Sequence, residues 1–345
     1  MKFLFLGGGP NNALPYELRQ LGHEVYARPD TDWFHACMNH EEPAQFMQRA
    51  KIIFTREHPD VLVVTKGWHL HHESPRFAGR PWVVPPALLQ HARSRKAKVV
   101  YICYDDPACT PITLQQHLPD CAHAWLTTCA GITKLFSGVK RTGAAVHEFW
   151  LGWDDRTVCR QEDLQVDVAI TGSPYHKPFP APHYQGGFST PRRDLVRALL
   201  DAGFRVGIWG PQEWLRRDDG GDPRFAKIYR GWIDPSRIHV VHQSAPVVVA
   251  TQLVEGHRYE SGRLTQNGPN QCVVHEDRPG LRGEFGNAVS WFKTGDVAGA
   301  VQNVRELLER PDVRQRLRQR LTGVVLGHHC WSHRAKRLVE IVEGL

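Results

Sequence analysis

Short β-branched runs alternate with helix-like stretches along the whole chain, and this alternation constrains the fold more than any other feature. Continuous apolar strands separated by helical periodicity are typical of a parallel sheet covered by helices on both faces. The sequence predicts strands at 2–6, 23–27, 61–65, 98–103, 124–128 and 144–149, and then at 166–172, 205–209, 228–233, 247–251, 272–275 and 289–292. It predicts helices at 13–21, 86–95, 192–202, 235–245, 297–310 and 332–342.

The same plan occurs twice. The phrases LRQLGHEVYAR (18–28) and LLDAGFRVGIWG (199–210) both read as a helix end, a glycine C-cap and a buried strand. We therefore predict an α/β protein with two Rossmann-like, doubly wound domains, 1–155 and 165–330, joined through polar residues. A last helix, 331–345, could cross back to the N-terminal domain. Two such sheets facing each other would form a cleft lined by the carboxyl ends of their strands.

Composition indicates a packed protein without a membrane segment. The 345 residues are 41% hydrophobic and 23% charged, as in ordinary globular domains. No apolar run approaches the roughly 18 residues of a transmembrane helix. The first apolar run is too short for a signal peptide, so we expect a cytoplasmic protein. The eight cysteines include no CxxC pair and are expected to be free thiols, mostly buried.

A basic segment indicates one possible partner. The chain carries a net charge of +7, and residues 73–98 hold six Lys or Arg against one acid, with aromatic residues between them. Such a segment can contact a polyanion such as double-stranded DNA. A solvated loop and helix face is the alternative. The candidate DNA contacts are Arg76, Arg80, Arg93, Arg95 and Lys96.

Acidic and histidine residues follow two strands of the first half. YDDP (104–107) leaves a buried strand, where a carboxylate of Asp105 or Asp106 could deprotonate an acceptor hydroxyl. A helix N-cap is the structural alternative. His69, in TKGWHLHH, is a second candidate base. The histidines at 69–72 lack a ligand set of matching spacing, so no metal site is expected.

Glycine-rich turns follow other strands. The GGGPNN turn places Gly8, Gly9, Asn11 and Asn12 at a helix start suited to anions, or it is a tight turn only. It lacks the GxGxxG fingerprint, which disfavours a nicotinamide-dependent enzyme. In the second half, small residues and neighbours at strand ends allow a phosphate or a base to approach the backbone. These are Gly172, Ser173, Trp209, Gly210, Gly231, Trp232 and Ile233.

Five segments in order carry a family resemblance: DVAITGSPY, GFRVGIWG, YRGWIDPSRIHVVHQSAPVVVAT, GRLTQNGPNQCVVHED and HHCWSHRAKRLVEIV. Together they resemble the C-terminal half of GT-B glycosyltransferases, in particular the spore-maturation (CgeB-like) group, which also occurs in phages. The N-terminal half resembles it through GHEV, PDVLVV and DDP.

The resemblance implies a nucleotide-sugar site in the C-terminal domain and an acceptor site in the N-terminal domain. Arg263 would neutralise the diphosphate leaving group, helped by the turn at Gly172. Gln266 stands where the group has a ribose-binding glutamate, which is a departure from the pattern. Asn267 begins the small-residue turn, and the nucleobase of the donor would lie near residues 231–233. Neither a metal nor another cofactor is implied.

We therefore predict a glycosyltransferase that moves a sugar from a nucleoside diphosphate donor, UDP-sugar in particular, to a hydroxyl group. The basic balance and the phage relatives favour hydroxymethylated pyrimidine in DNA as the acceptor. A glycan, cell-surface or small-molecule acceptor is the alternative. A GT-B protein that binds a nucleotide-sugar without turnover is a second class, favoured by Gln266 and the unusual QNGPNQ turn.

Overall fold

The computed structural model describes residues 1–6, 13–28, 43–65, 86–103, 122–128, 130, 143–174, 191–216, 221–251 and 262–345. The chain divides into two compact units. Unit 1 comprises Met1–Trp150 with Trp331–Leu345, and unit 2 comprises Leu151–Cys330. None of the described helices combines the length and the apolar character that a membrane crossing requires.

Unit 1 is built on a parallel sheet in the order β2-β1-β3-β4-β5-β6. Its central strands are buried on both faces, as their continuous apolar sequence requires. The strands are β1 (Lys2–Leu6), β2 (Glu24–Tyr26), β3 (Val61–Thr65), β4 (Lys98–Cys103), β5 (Ala124–Thr127) and β6 (Ala145–Glu148). Its first helices are α1 (Ala13–Gln20), α2 (Pro43–Glu57) and α3 (Pro86–Ser94).

Unit 2 is built on a second parallel sheet, in the order β11-β10-β9-β7-β8. The strands are β7 (Val168–Thr171), β8 (Val206–Trp209), β9 (Val247–Ala250), β10 (Val273–Glu276) and β11 (Ser290–Phe292). The helices are α4 (Arg192–Asp201), α5 (Phe225–Ile228), α6 (Ile238–Ser244), α7 (Leu281–Phe285), α8 (Val297–Glu309) and α9 (Pro311–His328). Short 3₁₀ turns occur at Gln212–Leu215, Pro235–Arg237 and Gly286–Ala288.

The C-terminal helix α10 (Trp331–Glu343) packs against α1 in unit 1. Its buried positions include Ala335 and Leu338. The Lys98 ammonium at the start of β4 donates a hydrogen bond of 2.7 Å to the carbonyl of Val342. The end of the chain therefore completes the unit in which the chain begins.

The predicted fold class is confirmed: the protein has two parallel-sheet α/β units. The predicted strand at 228–233 is wrong. Residues up to Ile228 form α5, because the buried Phe225 anchors a helical turn against Trp214. The extended backbone that follows makes only an isolated bridge between Tyr229 and Ile208. Gly231, which has a φ of +92°, follows this bridge.

Two long helices are absent from the sequence prediction, α2 and α9. The sequence prediction has no helix between residues 310 and 332, but a second helix, α9, begins at Pro311 directly after α8. Proline is well tolerated there, since the first helical N–H has no partner within the helix. The buried face of α9 is a narrow stripe of Leu317, Leu321 and Val325 among arginines and glutamines, which gives a weak helical signal.

Candidate functional site

The strand order of unit 2 reverses beside β7, with β8 on one side of it and β9 on the other. Ligands of doubly wound sheets bind at the carboxyl ends of strands that flank such a switch point. The pairing of β7 with β9 extends only over Val168 and Ala169. The two strands are therefore not paired toward their carboxyl ends, and the segments beginning at Gly172 and Thr251 border the candidate site.

Gly172 is held in one backbone conformation at the end of β7. Its φ is +99°, its N–H donates to the carbonyl of Trp209 over 2.9 Å, and its carbonyl accepts from Nε1 of the buried Trp214 over 2.8 Å. A Cβ atom at this position would lie 3.1 Å from guanidinium nitrogens of both Arg192 and Arg263. Two positive side chains therefore lie against the Gly172 backbone.

Arg192 connects the segments that follow β7 and β9. Its guanidinium donates to the carbonyl of Ser173 (2.6 Å) and to the hydroxyl and carbonyl of Thr251 (both 2.9 Å). Only 4% of the residue is exposed. These bonds use a buried charge to fix the geometry of the switch point.

Arg263 lies in one turn of helical backbone. The N–H groups of Gln266 and Asn267 both donate to the carbonyl of Gly262, over 2.9 and 3.1 Å. The helical backbone that carries both Arg263 and Gln266 is thus limited to this turn. Gly268 and Pro269 follow it, and the residue before a proline disfavours helical backbone. The Gln266 amide folds back over Gly262, since a Cβ there would lie 2.8 Å from Oε1.

Buried charged and polar side chains continue the site at the end of β10. The Glu276 carboxylate and the Arg278 guanidinium form an ion pair of 2.7 Å with both side chains fully buried. Nδ1 of His275 donates to the carbonyl of Glu276 over 2.6 Å. Burial, together with the positive charges of Arg263, Arg278 and Arg192, lowers the pKa of His275 to about 3.

The glycines at neighbouring strand ends are in contact. The N–H of Gly210 donates to the carbonyl of Gly231 over 3.0 Å, and the Tyr229 hydroxyl donates to the carbonyl of Gly210 over 2.8 Å. A Cβ on Gly210 would collide with the carbonyl of Gly172. The structure therefore brings Gly172, Gly210, Gly231 and Arg263 together around the end of β7.

Comparison with known proteins agrees with this architecture. The family model described as "Glycosyl transferase-like" matches residues 192–340, less than half of the chain. Comparison by sequence with curated proteins finds no match.

Several solved structures are similar over the whole chain. Anabaena Alr3699/HepE in complex with UDP aligns over 100% of this chain and 99% of its own, with a TM-score of 0.58 and 11% identity. A sucrose-phosphate synthase from Thermosynechococcus elongatus aligns over 99% of this chain and 98% of its own, with a TM-score of 0.62 and 10% identity. A Rickettsia africae glycosyltransferase covers 99% and 97%, with a TM-score of 0.59 and 10% identity. The chain has the GT-B fold.

Other predicted donor-site residues of this GT-B chain lie nearby but differ in exposure. The Trp209 side chain packs in the core with Val241, and Ile233 packs against the same cluster. Only the backbone of Trp209 thus borders the site. Trp232 is 69% exposed. Asn267 is buried, and Ser173 contributes the carbonyl that Arg192 binds.

Several predicted residues lie outside the described part of the chain. Asp105 and Asp106 follow β4, and His69 follows β3. The other undescribed candidates are Gly8, Gly9, Asn11, Asn12, Arg76 and Arg80. Of the candidate DNA contacts, Arg93, Arg95 and Lys96 are described, and they are exposed at the end of α3 and in the turn after it.

Sequence reasoning missed four residues that the structure places at this site: Arg192, His275, Arg278 and His242, whose Nε2 lies 2.8 Å from the Thr171 hydroxyl at the end of β7. For Arg192 a signal was present. Arg192 and Arg193 are adjacent in the first turn of α4, where the helix dipole disfavours cations. Such a pair indicates a specific electrostatic role. His242 and His275 lie in apolar segments, where nothing distinguishes them from core residues.

The described residues contain no group of three or more His, Cys, Asp or Glu side chains arranged to hold a metal ion.

Replacing Gly172 by alanine tests the contact between this backbone and the two arginines. Gly203→Ala is the matched control, because Gly203 also has positive φ (+85°) but no atom of the described residues lies within 4 Å of the Cβ that alanine would add. We expect about 1 kcal/mol of lost unfolding free energy in both variants from the backbone conformation. Gly172→Ala should lose about 1–2 kcal/mol more from crowding. Urea denaturation measures both, and equal losses would contradict the close approach.

The buried histidines predict an acid-dependent loss of stability. The pKa of His275 is lowered from 6.5 to about 3, so between these values the unfolded chain binds a proton that the folded chain does not. The free energy of unfolding should therefore fall as the pH decreases below 6.5, by about 1.4 kcal/mol per pH unit for this group. The His275→Gln variant should lose that part of the slope in urea titrations at pH 4–7. The exposed His328→Gln variant should keep it, and an unchanged slope in His275→Gln would contradict the assignment.

Proposed function

We propose that the protein is a glycosyltransferase that uses a nucleoside diphosphate-sugar, specifically a UDP-sugar, and transfers the sugar to a hydroxyl group. The observation that carries the proposal is the pair of guanidinium groups of Arg192 and Arg263 against Gly172 at the switch point. The similar Alr3699/HepE structures contain UDP and UDP-glucose, which supports the choice of donor.

In this proposal Arg263 meets the diphosphate. Departure of a nucleoside diphosphate develops negative charge on the phosphate oxygens, and fixed positive groups stabilise that charge. The Arg192 guanidinium is hydrogen-bonded to Ser173 and Thr251. Its main role is therefore to fix the positions of these two segments, while its positive charge adds to the attraction for the diphosphate. Arg263 is partly exposed and is the group that contacts the donor.

The rest of the donor would be held by neutral groups. Gln266 would bind ribose hydroxyls through its amide, in the position where the resembling group has a glutamate. The backbone of Gly231 and Ile233 would bind the base, and the exposed Trp232 offers an aromatic surface beside it. A neutral Gln266 leaves the positive charge around Gly172 larger than a glutamate would.

The acceptor and its base are assigned to unit 1. Either Asp105 or Asp106, which follow β4, would remove the acceptor proton, with His69 after β3 as the next candidate. Thr65 of β3 and Ile102 of β4 are paired in register. The segments that carry these candidates therefore leave adjacent strands at the same edge of the sheet.

For the acceptor we propose hydroxymethylated pyrimidine in DNA. The exposed cations Arg93, Arg95 and Lys96 at the end of α3 support a polyanionic partner. An enzyme of this type also has to extrude the target base from the duplex. A small hydroxylated acceptor is the second candidate, because similar structures include a sucrose-phosphate synthase and a trehalose-phosphate synthase.

Replacing Arg263 by alanine tests the donor site. We expect the affinity for UDP to fall by well over tenfold, because the diphosphate loses its contacting cation. Isothermal titration of UDP measures this. Arg316→Ala is the matched control, since Arg316 is exposed and pairs with Asp312 one helical turn away. Unchanged UDP affinity in Arg263→Ala would remove Arg263 from the donor site.

Replacing the two aspartates separates an enzyme from a protein that only binds the donor. Asp105→Asn or Asp106→Asn should abolish transfer and leave UDP affinity unchanged, because a general base acts on the acceptor. The assay is mass spectrometry of UDP-glucose and other nucleotide-sugars with hydroxymethylated DNA, plain DNA and small sugars.

The outcomes of that assay also decide the acceptor. Product on hydroxymethylated DNA, with duplex affinity falling steeply as salt rises, supports the DNA proposal. Product only on small sugars, with a flat salt response, supports the second candidate. Full activity in both aspartate variants would move the base to His69, and donor binding without product on any acceptor would indicate a binding protein.

A further inference from the structure

Two buried glutamines near the site differ sharply in their bonding. Gln243, in α6, and Gln271, just before β10, are both fully buried. Neither amide atom of Gln243 has a hydrogen-bond partner in the described part of the chain, whereas both amide atoms of Gln271 are bonded. A buried amide stabilises a structure only where its hydrogen bonds are made. Gln271 therefore contributes hydrogen bonds to the structure around it and, among the described residues, Gln243 does not.

The amide nitrogen of Gln271 binds the backbone of the turn that carries Arg263. It donates to the carbonyls of Arg263 (3.0 Å), Leu264 (3.3 Å) and Gly268 (3.0 Å). Three carbonyl oxygens around one nitrogen can only face an NH₂ group. The amide orientation is therefore fixed, and Oε1 of Gln271 points at His242.

That orientation also fixes the tautomer of His242. Nδ1 of His242 lies 2.9 Å from Oε1 of Gln271 and therefore carries the proton. Nε2 lies 2.8 Å from the Thr171 hydroxyl and accepts from it. The imidazole is fully buried, so it is held neutral by desolvation. A continuous buried chain of hydrogen bonds thus runs from the last residue of β7 to the turn at residues 263–268.

We propose that Gln271 and His242 are positioning residues for the donor site. Together they hold the turn at residues 263–268 to the end of β7, and so keep the Arg263 guanidinium against Gly172. The effect on the donor rests on the proposed function, whereas the attachment of the turn does not. Because the turn carries both Arg263 and Gln266, losing the contact should weaken the hold on the diphosphate most, through Arg263, and the hold on the ribose less.

The test is a double-mutant cycle on UDP binding, measured by isothermal titration with the full chain. Gln271→Leu keeps the volume and removes the hydrogen bonds. It should raise the Kd for UDP about tenfold in the wild-type background and less than about twofold in the Arg263→Ala background. The affinity for uridine should fall less than about twofold, because Gln266 of the same turn is proposed to bind only the ribose. Gln243→Leu is the matched control, since it removes an equally buried amide without removing bonds, and it should leave the UDP affinity unchanged.

Hydrogen exchange of the amides at residues 262–271 gives a readout that does not need a donor. Gln271→Leu should accelerate exchange in this segment, and Gln243→Leu should not. His242→Phe, which removes both ring nitrogens at similar size, should show the same pattern and serves if Gln271→Leu does not fold.

The outcomes separate this proposal from the donor assignment. An equal rise of the Kd in both backgrounds, an equal effect of Gln243→Leu, or unchanged exchange in Gln271→Leu overturns the positioning role. A wild-type protein that binds no UDP overturns the donor assignment, while the exchange measurement still decides whether Gln271 and His242 hold the turn.

Discussion

The buried guanidinium of Arg192 is the contact on which the candidate site depends. β7 and β9 pair only at their beginnings, and a sheet that opens at its switch point leaves unpaired backbone groups that need partners. Arg192 supplies them by binding Ser173 on one side and Thr251 on the other. A charge so deeply buried is costly unless its donors are bonded. The Arg192 guanidinium therefore needs the backbone groups of Ser173 and Thr251 as much as they need it.

The electrostatics of the site follow from the fixed position of the Arg192 guanidinium. With Arg192 fixed, Arg263 lies against the same glycine, so two positive side chains meet at the end of β7. His275, beside them, is kept neutral by burial and by their charge. The buried pair of Glu276 and Arg278 adds no net charge. Under the proposed function, this arrangement would receive the diphosphate of the donor at the end of β7.

Most of the fold could be predicted from the sequence because parallel strands are continuous apolar runs, and eleven of the twelve predicted strands occur within two residues of their predicted ends. The segment at 228–233 was misread because Tyr229 and Ile233 are as apolar as a strand, whereas the buried Phe225 and the positive φ of Gly231 decide its shape. Gly172 was predicted as a glycine at the end of a strand, whereas Arg263 was predicted only from the family resemblance. The roles of Arg192, His242 and Gln271 depend on contacts between residues far apart in sequence, and these have no local pattern.

The central claim is that the carboxyl ends of β7 and β9 bind the diphosphate of a nucleotide-sugar. A crystal structure of the protein with UDP tests it most directly. The account predicts phosphate oxygens about 3 Å from the Arg263 guanidinium, beside the Gly172 backbone, with the uracil toward residues 231–233. A diphosphate bound elsewhere on the protein, with Arg263 making no contact to it, would contradict the account.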